Sequence, residues 1–132
     1  KVFKHDYEIL EDLTSRYYAK WSGLTYDQIE EQYPNGLRSI IEYPDRQTPA
    51  GGESSVDFIE RTKKVIDEVV AKNIGNRIII VTHPEVIQAA ICAALDIKAD
   101  KLPKIYIRTG SATQISYFEN WASLVYSDHV PL

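Results

Sequence analysis

The sequence predicts an α/β fold, and three observations lead there. Ile78 to Val81 is an unbroken run of β-branched apolar residues, as expected of a strand covered on both faces in a parallel sheet. Before it, Phe58, Ile59, Val65, Ile66, Val69 and Val70 recur at helical spacing. After it, Val86, Ile87, Ala90, Ile91, Ala94 and Leu95 form one broad face suited to lying on a sheet. Helix, strand, helix and then strands is the order of an α/β domain.

Along the chain, Tyr7 to Leu13 alternates weakly and is expected as a short strand or edge segment. Thr25-Tyr26-Asp27-Gln28 is a capping box, in which the threonine hydroxyl takes a backbone N–H three residues on and Gln28 reaches back. The short helix that follows is expected to end at Pro34-Asn35-Gly36. Pro44 to Gly52 is rich in turn formers and reads as a surface connection. Ser54 or Ser55 caps an amphipathic helix that runs to about Lys72 and stops at Asn73-Ile74-Gly75-Asn76. Beyond the second helix, Pro103 to Arg108 alternates as a strand, and Ser111–Phe118 and Trp121–Tyr126 read as a final pair of strands joined at Glu119-Asn120.

With 132 residues, 44% of them apolar, the chain is long enough for one domain with a core and short for two, so residues 1–132 are expected as a single domain. A net charge of −4 and the lack of a basic run exclude general attraction to nucleic acid or an anionic membrane. The apolar stretches fall short of membrane-spanning length and Lys1 to Asp6 contains no signal-peptide core, so the expected location is the cytoplasm. Cys92 is the only cysteine, which excludes an internal disulfide and a cysteine metal cluster and makes it a packing residue. The chain has no methionine and begins at Lys1, so it is expected to be a processed or partial chain.

His83 follows the Ile78–Val81 strand, and Pro84 is suited to the first helical position, so a helix is expected to start at once with His83 near its N-cap. Open α/β sheets bind ligands at the carboxyl ends of their strands, and a helix N-terminus favours an anion. A histidine there can donate to a phosphoryl oxygen. The plainer alternative is that His83 only caps the helix and bonds within its loop.

Four segments in order carry a family resemblance: Trp21-Ser22-Gly23-Leu24-Thr25-Tyr26-Asp27-Gln28-Ile29; Gly51-Gly52-Glu53-Ser54 with Phe58 and Arg61; Val81-Thr82-His83 with Val86-Ile87; and Gly110-Ser111-Ala112-Thr113. Together they resemble the histidine phosphatase superfamily, in its phosphoglycerate mutase-like branch. The resemblance implies a three-layer α/β/α fold with a mostly parallel sheet, of which this chain would be the C-terminal two-thirds, N-terminally incomplete. It implies a metal-free and cofactor-free phosphohistidine mechanism, in which one histidine attacks phosphorus, a second histidine and arginines hold the phosphoryl oxygens, and a glutamate protonates the leaving group. His83 matches the second histidine and is the candidate catalytic residue. Arg16 and Tyr18 match substrate-facing positions of the mutase branch, and Ser111 is a candidate to bond phosphate or the loop behind His83.

The departures from the family are specific. No Arg-His-Gly triplet, the family's nucleophile motif, occurs in the chain, and its acid glutamate aligns with Ser15, leaving Glu11 and Asp12 as stand-ins. Pro84-Glu85 replaces a usual glycine, with a carboxylate that would repel a phosphoryl group unless it points away, and Gln88 replaces a common arginine. Other motif residues have structural readings: Trp21 as core, Gly23 as a turn, Glu53 and Ser54 as helix caps, and Arg61 as a salt bridge or carbonyl clamp. His5 and His129 are expected to be exposed and incidental, although His129 matches a position that the family often fills with histidine.

Two functions follow as expectations. The first is a phosphatase for a small phosphomonoester, inactive in this chain alone because the nucleophile segment is absent. The second is a non-catalytic relative that binds a phosphoester or a protein. The partners are a small phosphorylated molecule or inorganic phosphate, and the Ser111–Tyr126 strands offer an edge through which two copies could form a homodimer.

Overall fold

The computed structural model describes residues 6–131. Its core lies between two helices, Ser55–Lys72 (α3) and Pro84–Ala94 (α4), which follow the shorter Tyr26–Gln32 (α1) and Gly36–Glu42 (α2). Phe58, Val65 and Ile66 of α3 meet Val86, Ala89 and Cys92 of α4, with Leu13 and Leu102 closing the ends of the cluster. Cys92 is a buried packing residue, as expected, and burial pushes its thiol up to about 11.

Local signals set these helices. Ser54 accepts the Asp57 N–H at 3.0 Å, with Asp57 in the first turn of α3 and Lys72 in the last, both favourable to the helix dipole. Pro84 opens α4 behind the His83 N-cap. At its other end Asp96 takes the left-handed conformation, with φ 53°, and the Ile97 N–H returns to the Cys92 carbonyl at 2.9 Å, a Schellman closure. In α1 both capping-box bonds form, Gln28 N to Thr25 Oγ1 at 3.3 Å and Thr25 N to Gln28 Oε1 at 2.9 Å. The Pro34-Asn35-Gly36 stop is followed at once by α2, because Asn35 turns the chain at φ 60° and serves as its N-cap.

The α/β class holds, as helices with a small sheet, but the expected central strands form no ladder. Ile78 to Val81 pairs with no strand among the described residues, and Ile79 and Val81 are 78% and 94% exposed. A strand needs a neighbour to receive its N–H and C=O groups, and no described segment supplies one. Pro103–Arg108 divides in two. Ala99–Lys104 winds as a 3₁₀ turn that includes Pro103, and Ile105 to Arg108 continues without a ladder, with Tyr106 76% exposed. The sheet that forms is the expected final pair of strands, Ala112–Tyr117 (β1) antiparallel to Ala122–His129 (β2), joined through Glu119-Asn120.

Tyr7–Leu13 forms no strand either. Glu11–Leu13 is a 3₁₀ turn that points Leu13 into the core, with Leu10 packed against the cluster. Their spacing of three suits that turn, where a strand would need two. Trp21 is buried as expected, and Pro44 and Pro49 anchor an otherwise exposed connection.

Candidate functional site

The site is assembled where the Leu13–Tyr18 loop meets the start of α4. Thr82 Oγ1 donates to the Leu13 carbonyl at 2.7 Å, and the Tyr18 hydroxyl donates to Glu85. These two bonds hold the loop on either side of His83 in sequence. The His83 carbonyl takes the Val86 and Ile87 N–H groups at 3.0 and 3.2 Å, while its imidazole is exposed and makes no capping bond. His83 is therefore the N-cap by backbone alone, and its ring nitrogens are left available for other partners.

On its other side the loop is clamped by Arg61. Its guanidinium pairs in a fork with Glu53, Nε to Oε1 at 2.8 Å and Nη2 to Oε2 at 2.9 Å, and also donates to the carbonyls of Asp12, Thr14 and Ser15. Arg61 is thus both salt bridge and carbonyl clamp. Glu53 is no helix cap; it holds Arg61 and accepts the Tyr17 N–H at 3.2 Å. Burial alone would raise its carboxyl, but the Arg61 and Tyr17 hydrogen bonds and the charges of Arg61 and Arg16 outweigh it and keep the group below its ordinary value.

Arg16 is the unusual member, with only 6% of its surface exposed. Its Nε donates to the Glu53 carbonyl at 2.9 Å, its guanidinium lies over the Tyr18 ring at 5.5 Å, and its buried Nη2 has no partner among the described residues. An unmet buried donor costs about 1–3 kcal/mol, and more when charged, so this group is poised for an anionic acceptor. Asp12, Ser15, Arg16, Tyr18, Glu53 and Arg61 are among the lining of a cleft of about 500 Å³. His83 is not in that lining; its neighbour Glu85 accepts from Tyr18 of the lining, and Thr82 donates to Leu13, which lies between the lining residues Asp12 and Thr14.

The expected residues divide accordingly. Arg16 and Tyr18 come together, and Tyr18 reaches the first turn that follows His83. Its phenol is pushed up first by burial and then by the hydrogen bond to Glu85 and that group's charge, with Arg16 opposing, so it stays a proton donor. Ser111 joins none of them in a hydrogen bond; its Oγ donates to the Arg108 carbonyl at 2.8 Å and closes its own turn. Of the stand-in acids, Glu11 is exposed and Asp12 lines the cleft. Gln88 anchors the extended segment, donating to the Ile105 carbonyl at 2.6 Å. The Glu53–Arg61 fork was not read from the sequence, since its spacing of eight lies outside the helical pairings of three and four. His129 stacks edge-on with Tyr126, and His5 lies outside the described residues.

An exposed histidine between an extended segment and a helix N-terminus, with a buried arginine on the loop that bonds that helix's first turn, is an arrangement that α/β folds use for anions. The profile of the Histidine phosphatase superfamily (branch 1) matches residues 1–128, and the chain belongs to that family. Phosphoserine phosphatase 1 of Hydrogenobacter thermophilus is 29% identical over 84 residues, covering 64% of this chain and 40% of that protein. The metal-independent phosphoserine phosphatase of Arabidopsis thaliana is 29% identical over 85 residues, or 62% of this chain and 36% of that one. Bacillus stearothermophilus YhfR superposes with a TM-score of 0.85 at 24% identity, over 92% of this chain and 60% of its own. A mycobacterial glucosyl-3-phosphoglycerate phosphatase solved with inorganic phosphate gives a TM-score of 0.78 at 27% identity, over 90% and 63%. The chain thus spans 40% or less of both sequence relatives and under two thirds of both structures. Among the described residues, no helix is long and apolar enough to cross a membrane.

Proposed function

We propose that this chain is the phosphoryl-holding part of a phosphatase acting on a small phosphomonoester through a phosphohistidine intermediate. The observation that carries this reading is His83, exposed at the N-terminus of α4 with no capping bond from its side chain. In this reading His83 and Arg16 hold phosphoryl oxygens. Tyr18 and Ser111 contribute only by giving up their present bonds to Glu85 and the Arg108 carbonyl.

The attacking histidine of this mechanism comes from a segment outside these 132 residues, on a strand that covers Ile78–Val81. The exposure of that run supports this, as does the lack of an Arg-His-Gly triplet. The chain alone is accordingly inactive, and the complete enzyme works in the cytoplasm with no metal, insensitive to a chelator. The edges of the β1–β2 hairpin, which pair with no further strand among the described residues, would let two copies pair. With p-nitrophenyl phosphate we expect no turnover by the 132-residue chain. Steady hydrolysis that His83→Ala abolishes would overturn this.

A second reading, a non-catalytic binder of a phosphoester or a protein, is favoured by Ser15 at the acid position and by Gln88, whose amide is tied to the Ile105 carbonyl. A complete reading frame with no upstream Arg-His-Gly segment would select it.

A further inference from the structure

Glu85 carries a charge that opposes the anion the site is proposed to hold, and unlike Glu53, which Arg61 pairs, it has no ion-pair partner among the described residues. Its carboxylate sits in the first turn of α4, two residues after His83, half-buried and accepting the Tyr18 hydroxyl. Arg16, over the Tyr18 ring, is the cation next to this pair, and its Nε is directed to the Glu53 carbonyl. The bond from Tyr18 fixes Glu85 in place without neutralising it. A phosphomonoester with no other charge meets repulsion here, and one with a second negative group meets more. An ester with an ammonium group a few bonds from phosphorus would meet the opposite, since with its phosphoryl oxygens on His83 and Arg16 its cation could pair with a carboxylate that has no ion pair among the described residues.

We infer that Glu85, held by Tyr18, is a specificity-determining residue that selects phosphomonoesters carrying a cationic amine. This rests on the phosphoryl-holding role proposed for His83. Tyr18 is a positioning residue in this scheme: its single proton is committed to Glu85, and its ring carries Arg16 on the other side. The selection is electrostatic, a difference in affinity between two esters of similar shape, with a repulsive element against one of them.

The test compares O-phosphoethanolamine with ethyl phosphate, titrated into the protein while the His83 ring signals are followed by NMR. We expect the amine-bearing ester to bind about tenfold more tightly, the scale of one partly screened charge pair. In Glu85→Gln the ratio should fall to within about twofold, and in Tyr18→Phe, which keeps the charge but frees it, to an intermediate value. Should both esters move the His83 signals with equal affinity in the parent, or should the preference survive in Glu85→Gln, the inference fails and the phosphoester reading stands. If neither ester nor inorganic phosphate moves those signals, the phosphoester reading fails and takes this inference with it.

Discussion

The α3–α4 pair and the Ile78–Val81 segment are made of similar apolar residues with opposite fates. Phe58, Val86 and Ala89 are 0%, 1% and 0% exposed, whereas Val81 is 94% exposed. A helix satisfies its own backbone and needs only one covered face, and α3 and α4 provide that for each other. A strand must find both its hydrogen bonds and its cover elsewhere, and the described residues offer Ile78–Val81 no ladder and give partial cover only to the side of Ile78 and Ile80, leaving Ile79 and Val81 open. Among the described residues the two helices cover each other, and one face of the Ile78–Val81 run stays open.

The largest effect should come from breaking the helix pair. Phe58→Ala removes a fully buried ring between the helices and should cost about 3–5 kcal/mol in urea unfolding. A loss under about 1 kcal/mol would mean that the α3–α4 core is not what holds the fold.

Next comes the seam where the helical layer grips the site loop. Glu53→Gln weakens the Arg61 fork and should cost about 2 kcal/mol at pH 7. Because Glu53 is held below its ordinary value, its contribution is full above that value and is lost as pH falls through the folded one. Unfolding measured down the acid range should show parent and variant converging there. A gap that persists once carboxylates are protonated would assign the loss to packing.

The smallest effect should come from the open face. Ile79→Thr should change stability by less than about 0.5 kcal/mol and reduce association seen by light scattering. A larger loss would show that this run is covered in solution after all.

What was legible in the sequence follows the same division. Thr25, Ser54 and Pro84 announced their helices because caps and helix starts are decided within a few residues. Helix α2 went unread because Asn35, at φ 60° and with no capping bond from its side chain, looks like a stop, and Ile41 on its surface breaks the amphipathic pattern. Ile78–Val81 was legible as a strand sequence but not as an exposed one, since exposure depends on a neighbour elsewhere. In the site, His83 could be placed from Pro84 alone. The burial of Arg16 and the Tyr18–Glu85 bond could not, because they join residues 67 apart or depend on packing from Glu53.

The sulfur of Cys92 has a consequence for that open surface. Enclosed between α3 and α4, with its thiol raised to about 11, it is neither ionised nor within reach of an oxidant while the helices stay together. Copies that meet through their uncovered strands therefore have no native thiol with which to weld themselves covalently. Any such assembly is held by non-covalent contacts alone, and a reductant leaves it unchanged.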